Sequence, residues 1–237
     1  RAADLPTRHS VVWQRPAQPF DNPYKAGDPV YPPLFVGRKD IFDRIGEVWS
    51  AKANPDSIIL YGHRRMGKSS ILRNLTQVAA PGSLIVYADL MGDTSLVAST
   101  ADLLLQLADR IHQAALRQNP QLDLPEPEAD GYTSAARAQR EFNRLTERLR
   151  NALAGQTLIL ALDEFEAVER AVAAGRIDQN IFEFFRSKTQ EPWLTFVFGG
   201  LHTLDEMSRD YQAPFYGSYE NIRVSYLPPE AAWQLIV

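Results

Sequence analysis

The sequence has no cysteine among its 237 residues. Disulfides, thiolate metal sites and cysteine nucleophiles are therefore excluded. It also lacks any run approaching the ~18 apolar residues of a membrane-spanning helix. Its first residues lack the apolar segment of a secretory leader. A soluble, cytoplasmic chain with no membrane partner is the expectation. Positive charge is not in excess: 25 Lys and Arg stand against 29 Asp and Glu, for a net charge of −4. That balance gives no sign of a nucleic-acid-coating surface, although it leaves a local basic patch open. What is plentiful is apolar material, 45% of the chain, enough for one large core and incompatible with wholesale disorder. Both ends read as cut. The chain opens on Arg1 and closes at Val237, inside a stretch (229–237) that reads as the start of a helix. The expectation is a piece of a longer protein whose effector or sensor domains lie beyond it.

Residues 1–33 hold Pro6, Pro16, Pro19, Pro23, Pro29, Pro32 and Pro33. Proline at this density blocks helix and central strand. The segment reads as an extended arm or linker, with Phe20, Tyr24 and Tyr31 as rings that could pin it by burial. From 34 to 237 the pattern alternates. Strands are expected at 58–61, 84–88, 157–162, 194–198 and 222–227. Helices are expected over 68–78, 102–116, 166–174 and 178–188, and another after a surface loop at 118–133, with Phe142, Leu145, Leu149 and Leu153 on one face. Strand–helix alternation predicts an α/β fold with a parallel sheet covered on both faces. The nearly all-apolar third and fourth strands suit its middle.

The first strand runs into Gly62-His63-Arg64-Arg65-Met66-Gly67-Lys68-Ser69, a G-x-x-x-x-G-K-[ST] pattern between strand and helix. That context makes it a phosphate-binding loop for a nucleoside triphosphate. Gly62 and Gly67 allow the turns and the close approach. The backbone N–H groups, those of Arg64, Arg65 and Met66 among them, form an anion nest. Lys68 suits the β- and γ-phosphates, Ser69 a Mg²⁺ ligand, and Ser70 the α-phosphate. The Arg64 and Arg65 side chains either add phosphate affinity or are solvated charges; the solvated reading is preferred.

The third strand ends in Asp163-Glu164. Asp163 suits a Mg²⁺ ligand, directly or through water. Glu164 suits the general base that polarises an attacking water. Glu166, one residue further on, reads as facing away. No N-K-x-D sequence occurs, which argues for ATP or ADP over guanine nucleotides. After the fourth strand, His202 or Thr203 is placed to sense the γ-phosphate. A glycine turn with a helix cap at Thr203 explains the same residues equally well. Arg186 and Arg209 read as surface charges before arginine fingers.

With these residues in place, the chain resembles the prokaryotic STAND-type ATPases, a signalling branch of AAA+-related P-loop proteins. The carriers are Phe35-Val36-Gly37-Arg38-Lys39-Asp40, the loop 61–72, Leu160-Ala161-Leu162-Asp163-Glu164-Phe165-Glu166, Gly199-Gly200-Leu201-His202 and Asp210-Tyr211. The resemblance implies a three-layer P-loop ATPase with sheet order 5-1-4-3-2. It implies that Val36, Gly37 and Arg38 line the adenine pocket, with Arg38 either touching the nucleotide or bracing the fold. It also implies a helical lid and winged helix after the fifth strand, and an ATP-gated switch that self-assembles in the full-length protein. Two other readings stay open: a DNA-associated ATPase resembling origin-recognition or helicase-loader proteins, and a non-catalytic nucleotide-binding scaffold.

Overall fold

Apolar residues at alternate positions of each strand divide between the two faces of one sheet. Ile59, Leu158, Leu160, Leu162, Phe196 and Phe198 pack on one side, and Ile58, Leu60, Ile159, Ala161 and Val197 on the other. This is the period-2 geometry of a strand buried on both faces. The computed structural model describes residues 29–32, 35–50, 56–153, 155–200 and 219–234. The sheet holds β1 (Ser57–Tyr61), β2 (Leu84–Asp89), β3 (Leu158–Asp163), β4 (Leu194–Gly200) and β5 (Tyr219–Arg223), all parallel, in the order β2-β3-β4-β1-β5. That is the expected order, with β4 between the two motif-bearing strands. Every residue of β3 and β4 is buried.

One face is covered by α3 (Thr100–Gln118), α4 (Ala135–Ala152), α5 (Glu166–Ala173) and α6 (Ile181–Lys188), the other by α1 (Lys39–Ser50) and α2 (Lys68–Arg73). A last helix, α7 (Pro229–Gln234), follows β5. Serine caps begin the two long helices: Ser99 Oγ accepts from the Asp102 N–H, and Ser134 Oγ from the Arg137 N–H. The centre of the larger cluster is aromatic. Phe185 has Phe165, Phe184, Phe196 and Phe198 around it, with ring centroids 5.5 to 6.2 Å away.

Three expectations need correction, and one helix was not foreseen. The helix expected over 68–78 is α2 followed by a 3-10 turn at Leu75–Gln77, because the α-helical run stops at Asn74. The one expected over 178–188 starts only at Ile181. The strand expected at 222–227 begins at Tyr219 and stops at Arg223, because its pairing with β1 ends where β1 ends. Helix α1 was not among the expected elements, although Ile41, Phe42, Ile45 and Val48 carry the helical spacing. Among the described residues no helix is long and apolar enough to cross a membrane. Phe20, Tyr24, His202, Thr203 and Arg209 lie outside the described residues.

Replacing Phe185, fully buried, by alanine is expected to lower unfolding free energy by about 3–5 kcal/mol. Urea unfolding measures this. A loss below about 1 kcal/mol would mean that the ring cluster does not hold α6 on the sheet.

Candidate nucleotide site

The loop after β1 is built by backbone conformations that few residues tolerate. Gly62 sits at φ 156°, and a Cβ there would lie 2.2 Å from the Val224 carbonyl oxygen. The chain leaving β5 therefore presses directly on the first loop residue, and the Val224 N–H donates to the Tyr61 carbonyl at 2.7 Å. Arg65 holds φ 62° and Gly67 φ 86° before α2 begins. His63, Arg64 and Arg65 are exposed, Met66, Gly67 and Ser69 half-buried, and Lys68 and Ser70 buried.

The Lys68 ammonium bends back over the loop. Nζ donates to the carbonyls of Gly62 at 2.9 Å and His63 at 3.0 Å. Burial pulls its pKa below the ordinary lysine value, while Glu164, Glu166 and Asp163 pull it back up. The phosphate-loop cation and the acidic end of β3 thus share one electrostatic cluster, as β4's place between β1 and β3 requires. In an open parallel sheet, ligands bind at this carboxyl edge.

Asp163 is buried, and both its oxygens are occupied. Oδ2 accepts from the Tyr87 hydroxyl at 2.8 Å and Oδ1 from the Glu164 N–H at 3.0 Å. Burial, with Asp163 beside it, pushes the Tyr87 hydroxyl well above its ordinary pKa, so it stays a donor. Glu164 has a left-handed backbone, φ 52°, a costly conformation for a side-chain-bearing residue. Burial, then Glu166 and Asp163, raise its pKa; Lys68 and Arg64 oppose this.

Two site neighbours were not legible in the sequence. Glu166, expected to face away, is buried and acts on both Lys68 and Glu164, because the tight turn at Glu164 brings the start of α5 back toward the strand end. Tyr87 was assigned only to its strand, and its contact with Asp163 depends on the β2–β3 register.

Within the box at 36–38, Arg38 bonds across the fold. Arg38 is buried at φ 60°. Its Nη2 donates to the Met66 carbonyl at 2.6 Å and its Nη1 to the Ser225 carbonyl at 2.7 Å. One guanidinium thereby ties the phosphate loop to the exit of β5. Gly37 explains its own identity: a Cβ there would meet Ala231 Cβ of α7 at 2.6 Å. Val36 is half-buried beside it. Ser70 Oγ accepts from the Val30 N–H at 3.1 Å, so the structure joins it to the N-terminal segment. Tyr31 is half exposed, 51%, and is held by its hydroxyl rather than by burial of its ring. Arg186 is exposed on α6.

A family model for the AAA ATPase domain matches residues 34–179. The chain belongs to that family. An AAA ATPase domain binds nucleotide, and the loop and acidic strand described above fall inside the matched residues. Searching the curated proteins finds no match. Among solved structures the domain is similar to the Aeropyrum pernix ORC1 protein in complex with DNA, at 16% identity and a TM-score of 0.54, covering 86% of this chain and 49% of that one. It is also similar to the Aeropyrum pernix ORC2 protein in ADPNP–ADP complexes, at 14% identity and a TM-score of 0.50, covering 80% and 50%. At such identities the likeness shows the fold, the α/β architecture with an all-parallel five-stranded sheet. The chain spans about half the length of these structures.

An open cavity of about 500 Å³ lies between the segment 125–132 and α4. Its charges are partly spent on one another, as in the Arg144–Glu141 pair at 2.6 Å. Nothing in its lining converges on one chemistry, and the loop of the AAA ATPase domain is the stronger candidate.

The Glu164 shift gives a pH signature. Its native pKa exceeds the unfolded value, so the native state binds more protons between the two and stability falls as pH rises through that window. Glu164→Gln removes this loss. Its thermal midpoint should exceed wild type at neutral pH, with the gap closing as pH falls toward the carboxylate reference of about 4.3. A wild-type midpoint at every pH would contradict the crowded-carboxylate picture.

Proposed function

We propose that this domain is a slow, Mg²⁺-dependent ATP hydrolase serving as the regulatory switch of a larger signalling protein. The observation that carries the nucleotide chemistry is the Lys68 ammonium, bonded to the Gly62 and His63 carbonyls and within electrostatic reach of Asp163 and Glu164.

The residues fit an ATP·Mg²⁺ pair. Gly62 lets the chain leaving β5 pass against the foot of the loop, and Lys68 lies over the loop with donors that phosphate oxygens would accept. Among the described residues no cluster of three or more His, Cys, Asp or Glu could hold a metal alone. Mg²⁺ suits such a place, since it uses one or two protein oxygens and completes its shell with phosphates and water. Ser69 and Asp163 would hold it. When bound, it would neutralise charge on the β- and γ-phosphate oxygens.

The loop N–H groups bind and orient the phosphates. Lys68 gives up its loop carbonyls for the β- and γ-phosphates. Glu164 accepts a proton from the attacking water at its carboxylate. Burial raises its pKa, and Lys68 opposes that rise. The arm 1–33, the sensor at His202 or Thr203 and the adenine-pocket role of Val36–Arg38 belong to the same proposal. So do nucleotide-dependent self-assembly and the STAND affiliation, which rests on the motifs at 35–40, 61–72 and 160–166. The fold shared with the ORC1 protein, whose structure holds DNA, favours a second reading: a DNA-associated ATPase.

In the full-length protein, Glu164→Gln should retain ATP while turnover falls roughly 10²-fold or more, and Lys68→Ala should lose nucleotide. Bound nucleotide, turnover and mass with and without ATP report these. An ATP-dependent change in mass with slow turnover supports the switch. Rapid turnover that requires DNA overturns it in favour of the second reading. No nucleotide in wild type, with Lys68→Ala unchanged, would exclude both.

A further inference from the structure

Tyr87 stands one strand out from the acidic strand. The β2–β3 register sets Tyr87 opposite Ala161 and Asp89 opposite Asp163. Tyr87 and Asp163 are therefore diagonal neighbours on one face of the sheet, the spacing at which a long side chain reaches across. The Tyr87 hydroxyl takes Oδ2 and the Glu164 N–H takes Oδ1, so the plane of the carboxylate is fixed from two sides.

The tyrosine is itself held. The Arg73 guanidinium lies over its ring, with the central carbon 4.0 Å from the centroid. Arg73 Nη1 donates to the Tyr31 hydroxyl at 2.9 Å. Tyr31 belongs to the described segment 29–32, which is clipped to α2. The Val30 N–H donates to Ser70 Oγ at 3.1 Å, and Asn74 Nδ2 donates to the Val30 carbonyl at 3.0 Å. Ser70, Arg73 and Asn74 are spaced i, i+3 and i+4, so one face of the helix that starts at Lys68 carries every contact.

We propose that Tyr87 is a positioning residue for the Asp163 carboxylate, and that the segment 29–32 acts on that carboxylate through Tyr31, Arg73 and Tyr87. Docking of the segment on α2 then tunes how metal strengthens nucleotide binding. This rests on the reading of Asp163 as the acid that holds Mg²⁺. The chemistry follows from geometry. A carboxylate with one oxygen freed samples orientations in which it no longer faces the metal. Without its Tyr31 acceptor the guanidinium loses one anchor, and the tyrosine ring loses the wall that sets its plane.

The test uses the full chain and a fluorescent, non-hydrolysable ATP analogue. Its affinity is measured in EDTA and then during a Mg²⁺ titration. Tyr87→Phe removes one hydroxyl and should raise the Mg²⁺ concentration for half-maximal tightening by roughly three- to tenfold. Affinity in EDTA should stay within about twofold of wild type, because the loop N–H groups and Lys68 are untouched. Tyr31→Phe should move the Mg²⁺ midpoint the same way by about two- to fourfold. In the Tyr87→Phe background it should add nothing.

A wild-type midpoint in Tyr87→Phe overturns the proposal. So does a Tyr31→Phe effect that is absent, or one that adds fully to that of Tyr87→Phe. Asp163→Asn separates this from the underlying reading. If Asp163→Asn keeps the Mg²⁺ response, Asp163 does not hold the metal and both readings fall. If Asp163→Asn loses the response while Tyr87→Phe keeps it, only the positioning role falls.

Discussion

A buried ammonium has to be compensated, and the carboxyl edge of this sheet is organised around that requirement. Lys68 is drawn out of water at the start of α2. Two loop carbonyls accept its hydrogen bonds, and three carboxylates from the far side of β4 offset part of its burial cost. Each partner is costly alone. Asp163 is buried, Glu164 is strained and raised in pKa, and Glu166 is buried at the start of α5. Together they offset one another in part, while burial still outweighs that offset at Lys68 and Glu164. The same compensation gathers a cation and three carboxylates at one edge of the sheet, the edge proposed to take a triphosphate.

Rigidity around this cluster comes from neighbours outside the acidic pair and Lys68. Arg38 holds the loop to the exit of β5 with one guanidinium, at the cost of its own left-handed backbone. The β5 exit in turn leaves room for no residue but glycine at position 62. On the opposite flank, Arg73 and Tyr87 connect Asp163 to the segment 29–32. Preorganised charge of this sort is what phosphoryl transfer asks of a protein, since positioning and electrostatics supply most of its catalysis.

Much of the sheet was legible because its central strands are apolar runs that end abruptly at a glycine or an acid. Leu158-Ile159-Leu160-Ala161-Leu162 before Asp163 admits few other readings, and the order 5-1-4-3-2 came with the family resemblance. β5 was misplaced because Tyr219-Glu220-Asn221 carries little apolar signal. As an edge strand it takes its limits from β1 rather than from its own composition. Helix α1 had its periodicity in plain view. The phosphate loop and the acidic pair were readable as patterns, but the burial of Glu166 and the reach of Tyr87 were not. Both depend on backbone turns and strand register that exist only once the sheet is assembled.

The central claim is that the loop at 62–69 and Asp163 form two halves of one nucleotide site. A structure of the domain with ADPNP and Mg²⁺ tests it most directly. The account predicts phosphates seated on the loop N–H groups, and Lys68 Nζ released from the Gly62 and His63 carbonyls to the β- and γ-phosphates. The metal would lie between Ser69 and Asp163, with its direct oxygen ligands at about 2.0–2.1 Å. A nucleotide bound elsewhere, or one bound at the loop while Lys68 keeps its carbonyls and the metal avoids Asp163's side of the site, would contradict it.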